Sequence, residues 1–114
     1  MKPKILPLVL VFSLLGLARC APPLASGALA AGVESASAGH WDDAVRQWTR
    51  AIEQDPGSAA AHGNLAVAFE KQGAWEEARR EYELALRLDP ANRTIRDNYE
   101  AFKARLEAGR GKTS

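Results

Sequence analysis

The sequence predicts an all-α fold of two helix-turn-helix repeats closed by a C-terminal capping helix, on three observations. Alanine supplies 22 of the 114 residues, while the β-branched and aromatic types favoured in strands are scarce. The segment 39–56 recurs at 73–90 with one constant offset of 34 residues. Beyond the second copy, Ile95, Tyr99, Phe102 and Leu106 recur at spacings of 4, 3 and 4, an apolar stripe suited to covering an open end.

The first 20 residues stand apart from this pattern. Lys2 and Lys4 give a positive start, and Ile5 to Leu17 is a mostly apolar run of 13 residues without a charge. That is the length of an export-leader core and short for a bilayer span. The apolar residues are continuous rather than spaced at 3.6, and Pro3 and Pro7 lie early, which argues against a buried core helix. Two endings stay open. Leu17-Ala18-Arg19-Cys20 resembles a bacterial lipobox, which makes Cys20 the candidate lipidated N-terminus and membrane tether, although Arg19 stands where that pattern has a small residue. Cleavage before Ala21 instead releases a soluble protein without cysteine. Either way an extracytoplasmic place is expected, periplasmic or anchored in a bacterial cell envelope. Residues 21–24 read as a short linker.

Within the repeat each matched residue has a physical task. Gly39 and Gly73 suit the left-handed conformation that ends a helix. Asp42, Asp43, Glu76 and Glu77 follow in the first turn of the next helix, where carboxylates favour the positive end of the helix dipole. Ala44, Trp48 and Ala51 share one face, as do Ala78, Tyr82 and Ala85: small residues let helices approach and the aromatic fills the space beside them. Pro56 and Pro90 stop their helices after Asp55 and Asp89. The register predicts helices over 25–38 and 42–54 in a first repeat spanning 25–58, over 59–72 and 76–88 in a second spanning 59–92, and over 93–108 in the cap, with 109–114 a tail. The first helix is the weak member. Ala31 and Ser35 stand where the second repeat has Leu65 and Phe69, and Gly27 and Gly32 each cost roughly 0.5–1 kcal/mol relative to Ala.

With Asn64-Leu65-Ala66, Phe69, Gly73, Trp75, Ala78, Tyr82, Ala85 and Pro90 at its spacing, the segment 59–92 resembles a tetratricopeptide repeat, and the resemblance extends over roughly 25–108. It implies antiparallel helix pairs stacked into a right-handed α-solenoid, whose concave face, lined mainly by first helices, holds a peptide or partner segment. Glycine at Gly32 matches a small-residue packing position of that family.

Placed in this register, the groove candidates are Leu29 and Val33, then Ala60, Gly63, Asn64, Val67, Glu70 and Lys71, then Thr94, Asp97, Asn98 and Ala101. Asn64, Val67, Lys71, Asp97 and Asn98 are the expected partner-binding set. Asn64 and Asn98 stand 34 apart, and an amide both donates to and accepts from a peptide backbone. Their alternative use is to satisfy a neighbouring helix turn or to face water.

Enzymatic chemistry finds no pattern. His40 and His62 occupy different repeat positions without a third ligand, so no metal or other cofactor is expected and packing or surface roles suit both. Gly111-Lys112-Thr113 lacks the leading glycine and preceding strand of a phosphate loop. A formal charge of +1 gives no case for nucleic acid, although 21–92 carries 6 basic against 11 acidic residues and 93–114 carries 6 against 3. The expected function is therefore a non-enzymatic adaptor that holds a protein or peptide segment, in envelope assembly or secretion. The alternative is a structural self-association module whose groove is filled by another copy.

Overall fold

The computed structural model describes residues 24–111, and the leader, Cys20 and residues 112–114 lie outside the described residues. Among the described residues five helices follow in order: α1 Leu24–Ser37, α2 Trp41–Gln54, α3 Ala59–Lys71, α4 Trp75–Leu88 and α5 Arg93–Arg110. Among the described residues there is no strand, and no helix is long and apolar enough to cross a membrane. The pairs α1–α2 and α3–α4 are the two repeats, α3 packs on α2, and α5 packs on α3 and α4. This is an all-α solenoid of helix-turn-helix units. The capping helix runs to Arg110, two residues past its expected end, because Gly109 has open space around it and nothing breaks the turn. At the other end α1 begins at Leu24, the last residue of the expected linker.

The turns inside the two repeats are built alike. Gly39 and Gly73 have φ of +80° and +77°. The following amide closes each preceding helix, His40 N–H donating to the Ser35 carbonyl at 2.9 Å and Ala74 N–H to that of Phe69 at 2.8 Å. That six-residue closure needs the left-handed backbone that glycine adopts without a side-chain clash. The turns between units use side chains instead. Ser58 Oγ accepts from Ala61 N–H at 3.2 Å and Asn92 Oδ1 from Ile95 N–H at 3.1 Å, capping α3 and α5.

The repeat stripes and Ile95 and Phe102 of the cap are buried, while Tyr99 and Leu106 are half-buried against them. Ala78, Tyr82, Ala85 and Phe102 are fully enclosed, with Ala66 and Ile95 in the same core. Ala44 and Trp48 form a second core with Leu65 and Ala68, and Ala51 a third with Ala28 and Ala61. Small residues set the helix spacing and aromatics fill it. Trp75, Tyr82, Tyr99 and Phe102 form the seam between α4 and α5, with Tyr82 5.4 Å from both Tyr99 and Phe102 between ring centres. Such pairs add about 0.5–1.5 kcal/mol each beyond burial.

In the first repeat Trp48 compensates for the thin face of α1. Its indole lies flat against the backbone at Gly32, where an added Cβ would fall 2.2 Å from Nε1. Nε1 donates to the Leu29 carbonyl at 3.1 Å. The glycine therefore costs α1 helix propensity and gives the indole its seat. The ring replaces volume that Ala31 and Ser35 do not supply.

His62 is buried and bridges the second repeat: Nε2 lies 3.1 Å from the Pro56 carbonyl and Nδ1 2.6 Å from the Glu81 carboxylate. The ring thus sits within hydrogen-bond reach of both the turn before α3 and α4. That is a packing role. His40, exposed in the turn, makes no side-chain cap bond.

Candidate binding groove

Two adjoining hollows mark the candidate site. One, of about 280 Å³, is bounded by Val33, Ala36, Trp41, Trp48, Asn64 and Val67. The other, of about 460 Å³, is bounded by Val67, Glu70, Lys71, Trp75, Asn98 and Arg105, with Tyr82 behind them. Val67 borders both, so the two hollows adjoin. The first helices α1, α3 and α5 supply most of the lining, because residues spaced 4, 3 and 4 along α3, from Ala60 through Asn64 and Val67 to Lys71, return to the same side.

Of the expected set, Asn64, Val67, Lys71 and Asn98 come together here. Asp97 does not. It lies exposed one turn from Arg93, 3.7 Å from its Nε, and lines neither hollow. Gly63 also leaves the groove: it is buried beneath Ile95, where an added Cβ would be 3.1 Å from Cγ1. Leu29 packs into the first-repeat cores.

Glu70 and Arg105 change the electrostatics from what the pattern suggested. Arg105 reaches back from α5 toward α3, and its Nε donates to Glu70 Oε1 at 2.7 Å. Tyr82, enclosed behind, donates its hydroxyl to Glu70 Oε2 at 3.1 Å. Glu70 thus has both carboxylate oxygens occupied. Burial, and then the Glu70 charge, push the Tyr82 hydroxyl well above the usual tyrosine range, so it stays a donor. No sequence spacing shows this triad, since residues 70, 82 and 105 belong to three helices; only the register neighbourhood of Glu70 hinted at it. Lys71 is held otherwise, with Nζ 5.8 Å from the Trp41 ring centre. With Glu70 matched by Arg105, the groove presents two amides, apolar and aromatic walls, and the charge of Lys71.

Among the described residues no group of three or more His, Cys, Asp or Glu is placed to hold a metal ion.

A tetratricopeptide repeat family model matches residues 29–93, more than half of the chain. No curated protein gave a match. Repeats of this kind generally serve as non-enzymatic protein-interaction modules, binding protein or peptide partners. With its 34-residue period, paired helices and matched segment from α1 into the start of α5, the chain belongs to the tetratricopeptide repeat family.

Proposed function

We propose that this protein is an exported adaptor that holds an extended partner segment along the groove from Val33 to Asn98, in assembly or secretion at a bacterial cell envelope. The observation that carries the reading is that the two hollows adjoin at Val67, with Asn64 lining one and Asn98 the other. The amides take the segment's backbone without reading its side chains, and Val33, Val67 and Trp75 cover its apolar residues. Lys71 adds one attraction for an acidic group. Asp97 lies outside the two hollows.

Export rests on the charged start, the 13-residue apolar run and the Cys20 region. An intact mass on protein from native membrane and soluble fractions tests it. A mass that begins at Cys20 with acyl chains fits a tethered adaptor, one that begins at Ala21 a diffusible one, and a full-length mass in the soluble fraction removes export from the reading.

The groove is tested by the double variant Asn64→Ala with Asn98→Ala, against crosslinking from a photoreactive residue at position 67 in the native envelope. The expected result is loss of the crosslinked partner with an unchanged melting temperature. Retained crosslinking by the double variant refutes the groove assignment.

A second reading, self-association with the groove filled by another copy, is favoured by Val33, which is 48% exposed at the groove's end. It predicts a melting temperature that rises with protein concentration. A monomeric mass and a concentration-independent transition exclude it.

A further inference from the structure

The 34-residue register makes the two hollows of the groove counterparts of each other. Ala36 and Trp48, which line the first, stand 34 positions before Glu70 and Tyr82 of the second, and Lys71 stands 34 before Arg105. The chemistry at these three positions differs between the two places. In the first trio there is neither carboxylate nor hydroxyl, and the cation, Lys71, lies over the Trp41 ring. In the second all three change together: the methyl becomes a carboxylate, the indole a phenol that donates to it, and the lysine an arginine that turns to it.

Glu70 is held from two sides. Tyr82, enclosed in the core, donates to Oε2. Arg105 comes from α5 and sets both Nε and Nη2 on Oε1. Its side chain is 58% exposed, that of Glu70 only 11%. The carboxylate is therefore a fixed part of the groove wall, whereas the guanidinium is a surface group that reaches it at the end of a long stem. A carboxylate so covered needs a partner on each oxygen, and the chain itself supplies the cation. The hollow then carries two cations, Lys71 and Arg105, against the one carboxylate. A segment that brings an arginine or lysine here meets a filled acceptor and a like charge. We propose that Arg105 is a specificity-determining residue of the groove: it fills the cation-accepting position at Glu70 and so closes the groove to segments that carry an arginine or lysine there. The proposal rests on the groove reading and adds to it a class of partner that is turned away.

Arg105→Ala is the test, since it opens Oε1 of Glu70 by removing a mostly exposed side chain from a helix that alanine suits. Isotope-labelled protein is titrated with a blocked pentapeptide of alanines with a central arginine, and with the same peptide carrying glutamine at its centre. The signals read are the side-chain carboxyl carbon of Glu70 and the amide of Val67. The expected result is a saturable shift of Glu70 in Arg105→Ala with the arginine peptide, at least tenfold weaker in the wild type and at least tenfold weaker with the glutamine peptide. Adding Glu70→Gln to Arg105→Ala should abolish the shift of Val67, because the amide keeps the shape and loses the charge. Arg105→Lys keeps the cation and should stay closed. Four results overturn the proposal: no saturable shift of Glu70 in Arg105→Ala, equal binding of the arginine peptide by the wild type, binding retained by the double variant, or an open groove in Arg105→Lys. If Val67 shifts alike with both peptides in both proteins, the groove takes segments without sorting them by charge, which refutes the role of Arg105 and leaves the groove reading standing.

Discussion

One substitution made at two glycines of the same helix should have opposite effects. At Gly27 nothing lies within 4 Å of an added Cβ, so Gly27→Ala only gains helix propensity, about 0.5 kcal/mol so near the helix start. At Gly32 the new carbon falls 2.2, 2.5 and 2.6 Å from Nε1, Cδ1 and Cε2 of Trp48. To regain ordinary contact at 3.4 Å the ring must withdraw by 3.4 − 2.2, about 1.2 Å. The withdrawal loses the Nε1 bond to the Leu29 carbonyl, about 1 kcal/mol. Overpacking a filled core costs a further ~1–3 kcal/mol. Propensity returns about 1 kcal/mol. Gly32→Ala is therefore expected to destabilise by about 2 kcal/mol, lowering the melting temperature by about 10 °C for a domain of this size, while Gly27→Ala raises it by a few degrees. Thermal and urea unfolding followed by circular dichroism measure both, and an unchanged urea slope keeps the comparison in the folded state. If both variants raise the melting temperature equally, Trp48 is not seated on α1 and the packing of the first repeat is wrong.

Two further outcomes follow from the second repeat and the cap. Burial, and then the charges of Glu70 and Glu83, raise the hydroxyls of Tyr82 and Tyr99 above the ordinary value of 10.0. The folded state then holds these protons more tightly than the unfolded chain. That contribution to stability is complete below about pH 10 and falls as pH rises through the folded values. Phenolate absorbance should therefore lag behind free tyrosine and rise with loss of helix signal; full ionisation of both rings near pH 10 with the helices intact would contradict it. The other outcome concerns the caps: Ser58→Ala and Asn92→Ala each remove one side-chain acceptor at a helix start, so each should cost about 1 kcal/mol in urea unfolding. Costs near zero would mean that the α3 and α5 starts are held by packing alone.

Most of the architecture was legible because it depends on properties that a single residue carries. A glycine in a turn, a proline after a helix, and alanines and aromatics at spacings of 3 and 4 act locally, and the 34-residue offset repeats them. Gly39, Gly73, Ala44, Trp48, Tyr82 and Phe102 are where those rules put them. What was not legible depends on the reach and rotation of long side chains. Arg105 stands off the apolar stripe of α5, which says nothing of a partner, yet its stem is long enough to reach Glu70. Asp97 was placed in the groove by position, but a short carboxylate one turn from an arginine stays with it. Gly63 shares the groove-side register of α3, but Ile95 of α5 lies over it instead.

The pairing of Gly32 with Trp48 has a consequence for how a chain of similar helices finds its order. Ala66 is the residue of α3 that stands 34 positions after Gly32, and it carries the Cβ that the Trp48 indole excludes at Gly32. Were α3 to dock on α2 in place of α1, that methyl would strike the ring. In the reverse exchange, Gly32 facing Tyr82 would leave a methyl-sized hole where Ala66 now lies in the core. Each first helix thus fits its own second helix better than its neighbour's, by a difference of one carbon atom on each side. The chain labels its repeats by size, and out-of-order pairing is penalised at the moment two helices meet.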